Sequence, residues 1–281
     1  PLSMELYGAV SPSLLAAAEQ LLDEIEVPPQ DGQQALDAVT FARRVEAELD
    51  HYRAVFPEIE VRVDVRDDGT GVLFTNGDLL IASTARVPIS RVDALLQHEV
   101  GTHVVTYVNG MRQPLRLLAA GLAGYDETQE GLAVLAEHLV GGLTAGRLRQ
   151  LAARVVAVHQ MVEGASFAEV HRALLHAGVQ QGPAFSIAVR VFRAGGLTKD
   201  AVYLRGLIDI MTHLRTGHDL EVFWLGKMAL ADAPLVEELR TRQVLLQPTL
   251  RPRYLADPAA RSRLRQAATT TSLGDLIGEP A

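Results

Sequence analysis

The chain contains 281 residues, of which 48% are hydrophobic and 21% charged, and its formal net charge at pH 7 is −8. This composition is typical of a globular protein and excludes a disordered chain, and no apolar stretch approaches the roughly 18 residues of a membrane span. An acidic chain without a concentrated basic face is not expected to bind nucleic acid. The absence of cysteine excludes disulfides, thiolate nucleophiles and cysteine-ligated zinc.

The N-terminal part of the chain predicts two helices. Apolar residues recur at helical spacing over residues 14–25, and Ser11 or Ser13 can cap the start of that helix. A similar apolar stripe predicts a second helix over residues 34–52. Residues 1–55 are therefore expected to form an N-terminal helical segment.

A different pattern follows and indicates strands. Residues 60–66 alternate between valine and charged side chains, which is typical of a half-buried strand. Two further strands are expected over residues 72–75 and 79–82. The Asn76-Gly77 pair between them is a strong signal for a two-residue hairpin turn. These segments predict a small antiparallel sheet.

The remainder of the chain predicts mostly helices. Ser90 and Asp93 resemble a capping box that opens a long helix. Further helices are expected near residues 128–143, 145–163, 166–178, 199–216 and 218–230. The expected fold class is therefore α+β and predominantly helical, with the sheet beside the long helix. A main domain over residues 56–250 and a C-terminal tail over residues 251–281 complete the predicted organisation.

The long helix carries the sequence HEVGTH, with histidines at positions 98 and 103. Zinc peptidases place two such histidines four residues apart on one helical face, with a glutamate directly after the first. Here the spacing is five residues, which leaves the rings about 140° apart around a regular α-helix. A π-helical turn, in which hydrogen bonds join residues five apart, would bring them to one face. Gly101 would lower the strain of that distortion.

A catalytic zinc site needs a third protein ligand. Glu130, in a predicted helix 32 residues after His98, is the best candidate, and a loop with Asn109-Gly110 and Pro114 allows the chain to turn back. The alternative is that His98 and His103 are packing residues. His171 and His176 have the same spacing but lack the following glutamate, and they are interpreted as surface or packing histidines.

The chain contains several short motifs besides HEVGTH. They are Asn109-Gly110, Gln113-Pro114-Leu115 and the QEGLA sequence of residues 129–133, followed by Thr198-Lys199-Asp200 and Tyr203. Together with HEVGTH, these motifs resemble the DUF1704 family. The bacterial members of that family are named for the QEGLA motif. Its animal relatives are the microtubule-associated tyrosine carboxypeptidases, which remove the C-terminal tyrosine of tubulin.

The resemblance implies a gluzincin-like metallopeptidase fold, a sheet beside an HExxxH helix, and Zn²⁺ as the cofactor. It implies that His98, His103 and Glu130 are the zinc ligands and that Glu99 is the catalytic glutamate. Residues 56–250 would then be the zinc metallopeptidase catalytic domain. The animal relatives have Glu-Glu where this chain has Gln129-Glu130, a change that spares the expected ligand.

A carboxypeptidase needs further groups beside its metal. Tyr203 is a candidate donor to the developing oxyanion, and a buried aromatic with a packing role is the alternative. The terminal carboxylate of a substrate requires a cation, for which Arg190, Arg193 and Lys199 are the candidates.

The expected function is therefore zinc-dependent removal of C-terminal residues from a peptide or protein. Two alternatives stay open, a regulatory protein that keeps the metal site without turnover and a zinc hydrolase of another amide. Neither a nucleic acid nor a membrane is expected as a partner, and the sequence leaves the oligomeric state open. Frequent alanine and an excess of arginine over lysine are typical of GC-rich genomes, so a bacterial protein is expected. The first residues show no charged segment followed by an apolar one, and a cytoplasmic location is expected.

Overall fold

Helices form most of the chain, in agreement with the predicted class. A computed structural model describes residues 2–27, 34–69 and 71–278. The α-helices are α1 (Leu2–Tyr7), α2 (Pro12–Glu24), α3 (Ala38–Val55), α4 (Val92–Leu96), α5 (Val105–Arg112), α6 (Leu117–Ala120), α7 (Tyr125–Leu139), α8 (Ala145–Val162), α9 (Phe167–His176), α10 (Gln181–Phe192), α11 (Val202–Arg215), α12 (Ala233–Thr241) and α13 (Pro258–Ala267). The strands are β1 (Ala35–Asp37), β2 (Arg62–Arg66), β3 (Val72–Thr75), β4 (Asp78–Ala82) and β5 (Arg86–Pro88).

The N-terminal helices differ from the prediction in one place. Ser11 caps α2, and its hydroxyl accepts a hydrogen bond from the Leu14 amide at 3.2 Å. The second helix begins at Ala38 and not at residue 34, because residues 35–37 form β1 and pair with β5. Asp37 ends that strand and caps α3 by accepting a hydrogen bond from the Thr40 amide at 2.8 Å.

The sheet is mixed, so the prediction of an antiparallel sheet is wrong for one strand. The predicted hairpin is present: β3 and β4 are antiparallel, and Asn76 and Gly77 adopt positive φ angles of 50° and 88°. The third strand, β2, lies on the other side of β4 and is parallel to it. β4 is the most apolar strand and takes the central position, where its Leu79 and Ile81 side chains are fully buried.

One long helix crosses the molecule over residues 92–112. It consists of α4, a π-helix (Gln97–Val104) and α5. The capping box predicted at Ser90 and Asp93 is wrong, because a 3₁₀ turn (Ile89–Arg91) leads into α4 and the Val92 amide donates to the Ile89 carbonyl. The π-helical turn suggested by the histidine spacing is confirmed.

The C-terminal half matches the predicted helices in part. The helices expected near residues 128, 145, 166 and 199 correspond to α7, α8, α9 and α11. The predictions missed α10, and the helix expected over residues 218–230 is a short 3₁₀ turn (Glu221–Leu225). The proposed domain boundaries stay a prediction. The larger hydrophobic cluster joins residues from α2 through α13, while the smaller one lies between α3, the three-stranded sheet and the long helix.

Two glycines bring α7 and α11 into close backbone contact. A β-carbon on Gly131 would overlap the carbonyl group of Gly206, and one on Gly206 would overlap the Glu127 carbonyl. Both obstacles are backbone atoms, which cannot move aside as a side chain can. The separation of the two helices therefore requires glycine at both positions.

Replacing Gly131 by alanine should push α7 and α11 apart. We expect Gly131→Ala to lower the free energy of unfolding by about 1–3 kcal/mol or more, the usual cost of overpacking, as measured by denaturant titration. Gly182→Ala in α10 is the matched control, since its β-carbon meets nothing within 4 Å. Equal stability of the two variants would contradict the proposed backbone contact.

Candidate metal centre

The π-helix brings His98 and His103 together. Their ring centroids lie 5.2 Å apart, with the rings at 80° to each other. Gly101 between them faces Gln97 and the Tyr254 ring, and a β-carbon at this position would collide with the Gln97 side chain. Both histidines are largely buried, with side chains 7% and 14% exposed. The distortion thus places two imidazoles on one face of the helix.

Glu130 of α7 completes a group of three candidate ligands. Its Oε2 atom lies 3.4 Å from Nε2 of His98 and 3.6 Å from Nε2 of His103. Ligands about 2.0–2.1 Å from a tetrahedral zinc ion are separated from one another by about 3.3 Å. The observed spacings are long for hydrogen bonds and close to that value. Among the described residues, this is the one cluster of histidines and carboxylates with metal-site spacing.

Glu137, also on α7, fixes the orientation of the His98 ring. Nδ1 of His98 donates a hydrogen bond to Oε1 of Glu137 at 2.9 Å. Arg91 and Arg147 donate to the same carboxylate, with shortest distances of 2.6 Å and 3.0 Å. Burial alone would raise the pKa of Glu137, but the two arginines and His98 hold it far below its usual range. The carboxylate is therefore ionised.

This hydrogen bond determines which nitrogen of His98 faces the centre. With the proton on Nδ1, the Nε2 lone pair points toward the Glu130 carboxylate, and two acceptors then oppose each other. A cation between them removes that conflict. Without a metal, protonation does so: burial would lower the pKa of His98, but the neighbouring carboxylates of Glu130 and Glu137 raise it to about 9.

Glu99 follows the first histidine and is itself buried, with 6% of its surface exposed. Burial raises its pKa above the usual value, whereas the charges of His98 and His103 oppose the shift. A carboxylate with a raised pKa in a desolvated site is a stronger base than one in water. This environment suits a group that takes up and releases a proton.

Tyr203 of α11 lies beside the candidate centre. Its ring stacks on the His98 ring with centroids 6.5 Å apart. The guanidinium groups of Arg154 and Arg147 lie 5.2 Å and 5.9 Å from its ring centroid. Burial and the charge of Glu130 raise the pKa of the phenol well above its usual value, so it keeps its proton at neutral pH.

The three candidate carboxylate receptors have different surroundings. Arg190 forms a two-pronged ion pair with Asp200, at 2.8 Å and 2.7 Å. Lys199 donates to Asp126 at 2.7 Å, and Arg193 is exposed. Arg190 and Lys199 are therefore already paired with carboxylates of the same chain. Their assignment as receptors for a substrate stays a prediction.

Sequence reasoning missed the residues that support the candidate ligands. Glu137 follows Glu130 by seven residues, which is two helical turns on the same face, and this spacing could have indicated it. Gln129 accepts a hydrogen bond from the Thr106 hydroxyl at 2.8 Å and so links α7 to α5. Arg91 and Arg147 carried no local signal, because they reach Glu137 from other elements, the turn before α4 and the start of α8.

Comparison with known proteins assigns the family. The family model described as microtubule-associated tyrosine carboxypeptidase matches residues 1–272. The chain belongs to this family. Microtubule-associated tyrosine carboxypeptidase 1 of mouse is 31% identical over 196 residues, and the proteins of that name from rat and human are each 30% identical. Each alignment covers 66% of this chain but only 40% of the relative.

The resemblance seen in the sequence motifs is thereby confirmed. The three relatives are mammalian, and a bacterial, cytoplasmic origin stays a prediction. Among the helices that the structure describes, none combines the length and the apolar character needed to cross a lipid bilayer.

The ion pair between the buried Asp200 and the partly exposed Arg190 leads to a stability prediction. Asp200 also lies 3.9 Å from the buried Arg154. Replacing Asp200 by asparagine leaves two arginines without their carboxylate, so we expect the free energy of unfolding at pH 7 to fall by about 3–5 kcal/mol. Denaturant unfolding measures this loss. Asp78→Asn, which removes the partner of the exposed Arg62, is the control and should change stability little.

The same pair predicts a pH dependence. Burial would raise the pKa of Asp200, but Arg190 and Arg154 lower it below its usual value of 3.8. The stabilisation is therefore complete above about pH 4 and is lost as the pH falls through the lower, folded-state pKa. The stability difference between wild type and Asp200→Asn should narrow in that acidic range. A constant difference down to pH 2 would contradict this assignment.

Proposed function

We propose that the protein is a zinc-dependent carboxypeptidase that removes the C-terminal residue of a peptide or protein. The observation that carries the proposal is the spacing of His98, His103 and Glu130, whose facing atoms lie at distances suited to one tetrahedral ion. Membership of a carboxypeptidase family supports the reaction class. The three-stranded sheet beside the histidine helix supports a gluzincin-like fold.

The donor set fits zinc. Two imidazole nitrogens and one carboxylate oxygen are common ligands of catalytic zinc, which keeps a further position open. Oε2 of Glu130 is buried and has no hydrogen-bond partner among the described residues, as expected for an atom that faces a cation. When bound, zinc would lower the pKa of water and polarise the scissile carbonyl group.

Glu99 is the proposed general base. It lies next to a ligand, its side chain is buried, and its raised pKa favours proton uptake. In the proposed mechanism its carboxylate accepts a proton from the attacking water. The same group then transfers this proton to the amine of the leaving residue.

Tyr203 is the proposed donor to the oxyanion. Its ring stacks against His98, which places the phenol beside the candidate centre. Because its pKa is raised, the hydroxyl stays protonated and is able to donate a hydrogen bond to the developing negative charge. Such a donor acts most strongly in a desolvated site.

The substrate class follows from the family. The relatives are named tyrosine carboxypeptidases, so a C-terminal tyrosine is the first residue to test, within a library of peptides that differ at the last position. The mouse, rat and human proteins extend well beyond the matched region, which is 40% of their length. Release of the terminal residue, followed by mass spectrometry, distinguishes a carboxypeptidase from a hydrolase of another amide.

Metal content tests the centre directly. We expect about one zinc ion per chain in wild-type protein purified without added metal, and loss of that zinc in His103→Ala, as measured by elemental mass spectrometry. His176→Ala is the matched control, because His171 and His176 share the five-residue spacing but lie on the regular helix α9. Wild-type protein without zinc, or zinc retained in His103→Ala, would contradict the proposal.

A substitution at Glu99 separates catalysis from a metal-holding role without turnover. Glu99→Gln keeps the size of the side chain and should retain zinc, because Glu99 is not one of the three proposed ligands. We expect peptide turnover to fall by about 10²–10⁴-fold, the usual contribution of a general base. Unchanged turnover in this variant would exclude Glu99 as the base.

A further inference from the structure

Hydrogen bonds and close packing fix the backbone position of Lys227. Its amide donates to the Leu118 carbonyl at 2.7 Å, and its carbonyl accepts from the Leu122 amide at 3.0 Å. The preceding Gly226 presses against Leu118, whose carbonyl oxygen would lie 2.6 Å from an added β-carbon. This short stretch of paired backbone holds the base of the lysine side chain in place.

Three aromatic rings surround the Lys227 ammonium group. Its Nζ atom lies 5.8 Å from the centroid of Phe74 and 5.6 Å from those of Tyr107 and Tyr125. We call these three residues the aromatic cage. Phe74 and Tyr107 also contact each other edge to face, with centroids 5.4 Å apart. The rings favour a cation and exclude water, but they accept no conventional hydrogen bond from it.

The walls of the aromatic cage come from the elements that carry the candidate ligands. Tyr107 follows His103 by four residues on the long helix, and Tyr125 precedes Glu130 by five residues on α7. Phe74 belongs to β3, the edge strand that packs against the π-helix. Lys227 therefore packs among residues of the elements that carry the candidate ligands.

The charge of Lys227 has no direct partner in the described part of the chain. The sequence contains two lysines. The other one, Lys199, forms an ion pair with Asp126, with its Nζ atom 2.7 Å from the carboxylate. No ion pair or side-chain hydrogen bond joins Lys227 to another described residue. Burial lowers its pKa, although the charge of Asp126 opposes this. A partly buried ammonium with three donors and no acceptor is suited to an incoming anion.

We propose that Lys227 binds the terminal carboxylate of the substrate, with the aromatic cage excluding water from the ion pair. This inference rests on the proposed carboxypeptidase function and names the residue that restricts cleavage to the end of a chain. A carboxylate fixed on one side of the metal centre leaves the last peptide bond as the one presented for attack. A peptide whose C terminus is an amide lacks the negative charge that this lysine recognises.

Binding measurements test the proposal independently of turnover. The probe is a hexapeptide ending in tyrosine, prepared with a free carboxyl terminus and with a C-terminal amide. Its affinity is measured by isothermal titration calorimetry in the zinc-loaded Glu99→Gln protein, which should bind the peptide without cleaving it. We expect Lys227→Met in this background to bind the free acid about 10–100-fold more weakly and the amide equally well.

Further variants test whether a change in binding by Lys227→Met reflects the lost charge or a structural effect. Lys227→Arg keeps the charge and should retain part of the preference for the free acid. Arg242→Met removes an exposed cation that pairs with Glu238 and should leave both affinities unchanged. Circular dichroism and zinc content establish that each variant is folded and loaded.

Two results would overturn the proposal. The first is equal binding of acid and amide by the parent protein, and the second is an undiminished acid preference in Lys227→Met. In the second case the variants Lys199→Met and Arg154→Met test two other cations as the carboxylate receptor. Arg154 is included because its buried Nε has no hydrogen-bond partner among the described residues. Failure of the carboxypeptidase function would instead show as absence of turnover in the wild-type protein, whatever the binding result.

Discussion

The π-helical turn over Gln97–Val104 is the constraint on which the candidate centre depends. A regular α-helix would direct His98 and His103 to different faces, and Glu130 could then approach only one of them. The wider turn has poorer hydrogen-bond geometry than an α-helix, so packing around it has to maintain it. Gly101 fits closely between Gln97 and Tyr254, and both β3 and α7 lie against this segment. The surrounding fold thus supports the distortion that the five-residue spacing requires.

Charge pairing around the centre assigns different tasks to chemically similar carboxylates. Glu137 is surrounded by Arg91, Arg147 and His98, and its ionised state fixes the orientation of the His98 ring. Asp200 is paired with Arg190 in a similar way. Because arginines neutralise the carboxylates of Glu137 and Asp200, we interpret these two residues as structural. Among the described residues no arginine pairs with Glu130 or Glu99, which leaves these two carboxylates for the proposed metal ion and the proposed proton transfer.

The close contact of α7 with α11 links the two sides of the candidate site. Gly131 is adjacent to Glu130, and Gly206 follows Tyr203 by three residues. The backbone contact at these glycines therefore sets the distance between a candidate ligand and the aromatic ring that stacks on His98. A small separation of the helices would move both groups at once. This coupling explains why glycines that take no part in chemistry belong to the architecture of the site.

The sequence by itself determined the local features whose cause lies in neighbouring residues. These are the serine cap of α2, the Asn76-Gly77 hairpin, most of the helices and the need for a π-helical turn between the histidines. The tertiary structure alone decided three other features. These are the position of β2 beside β4, the ion pairs of Glu137 and the contact of Lys227 with the aromatic cage. Each of them joins residues of different secondary-structure elements, and no periodicity or spacing within one element indicates which groups of other elements will share a buried charge or a sheet edge.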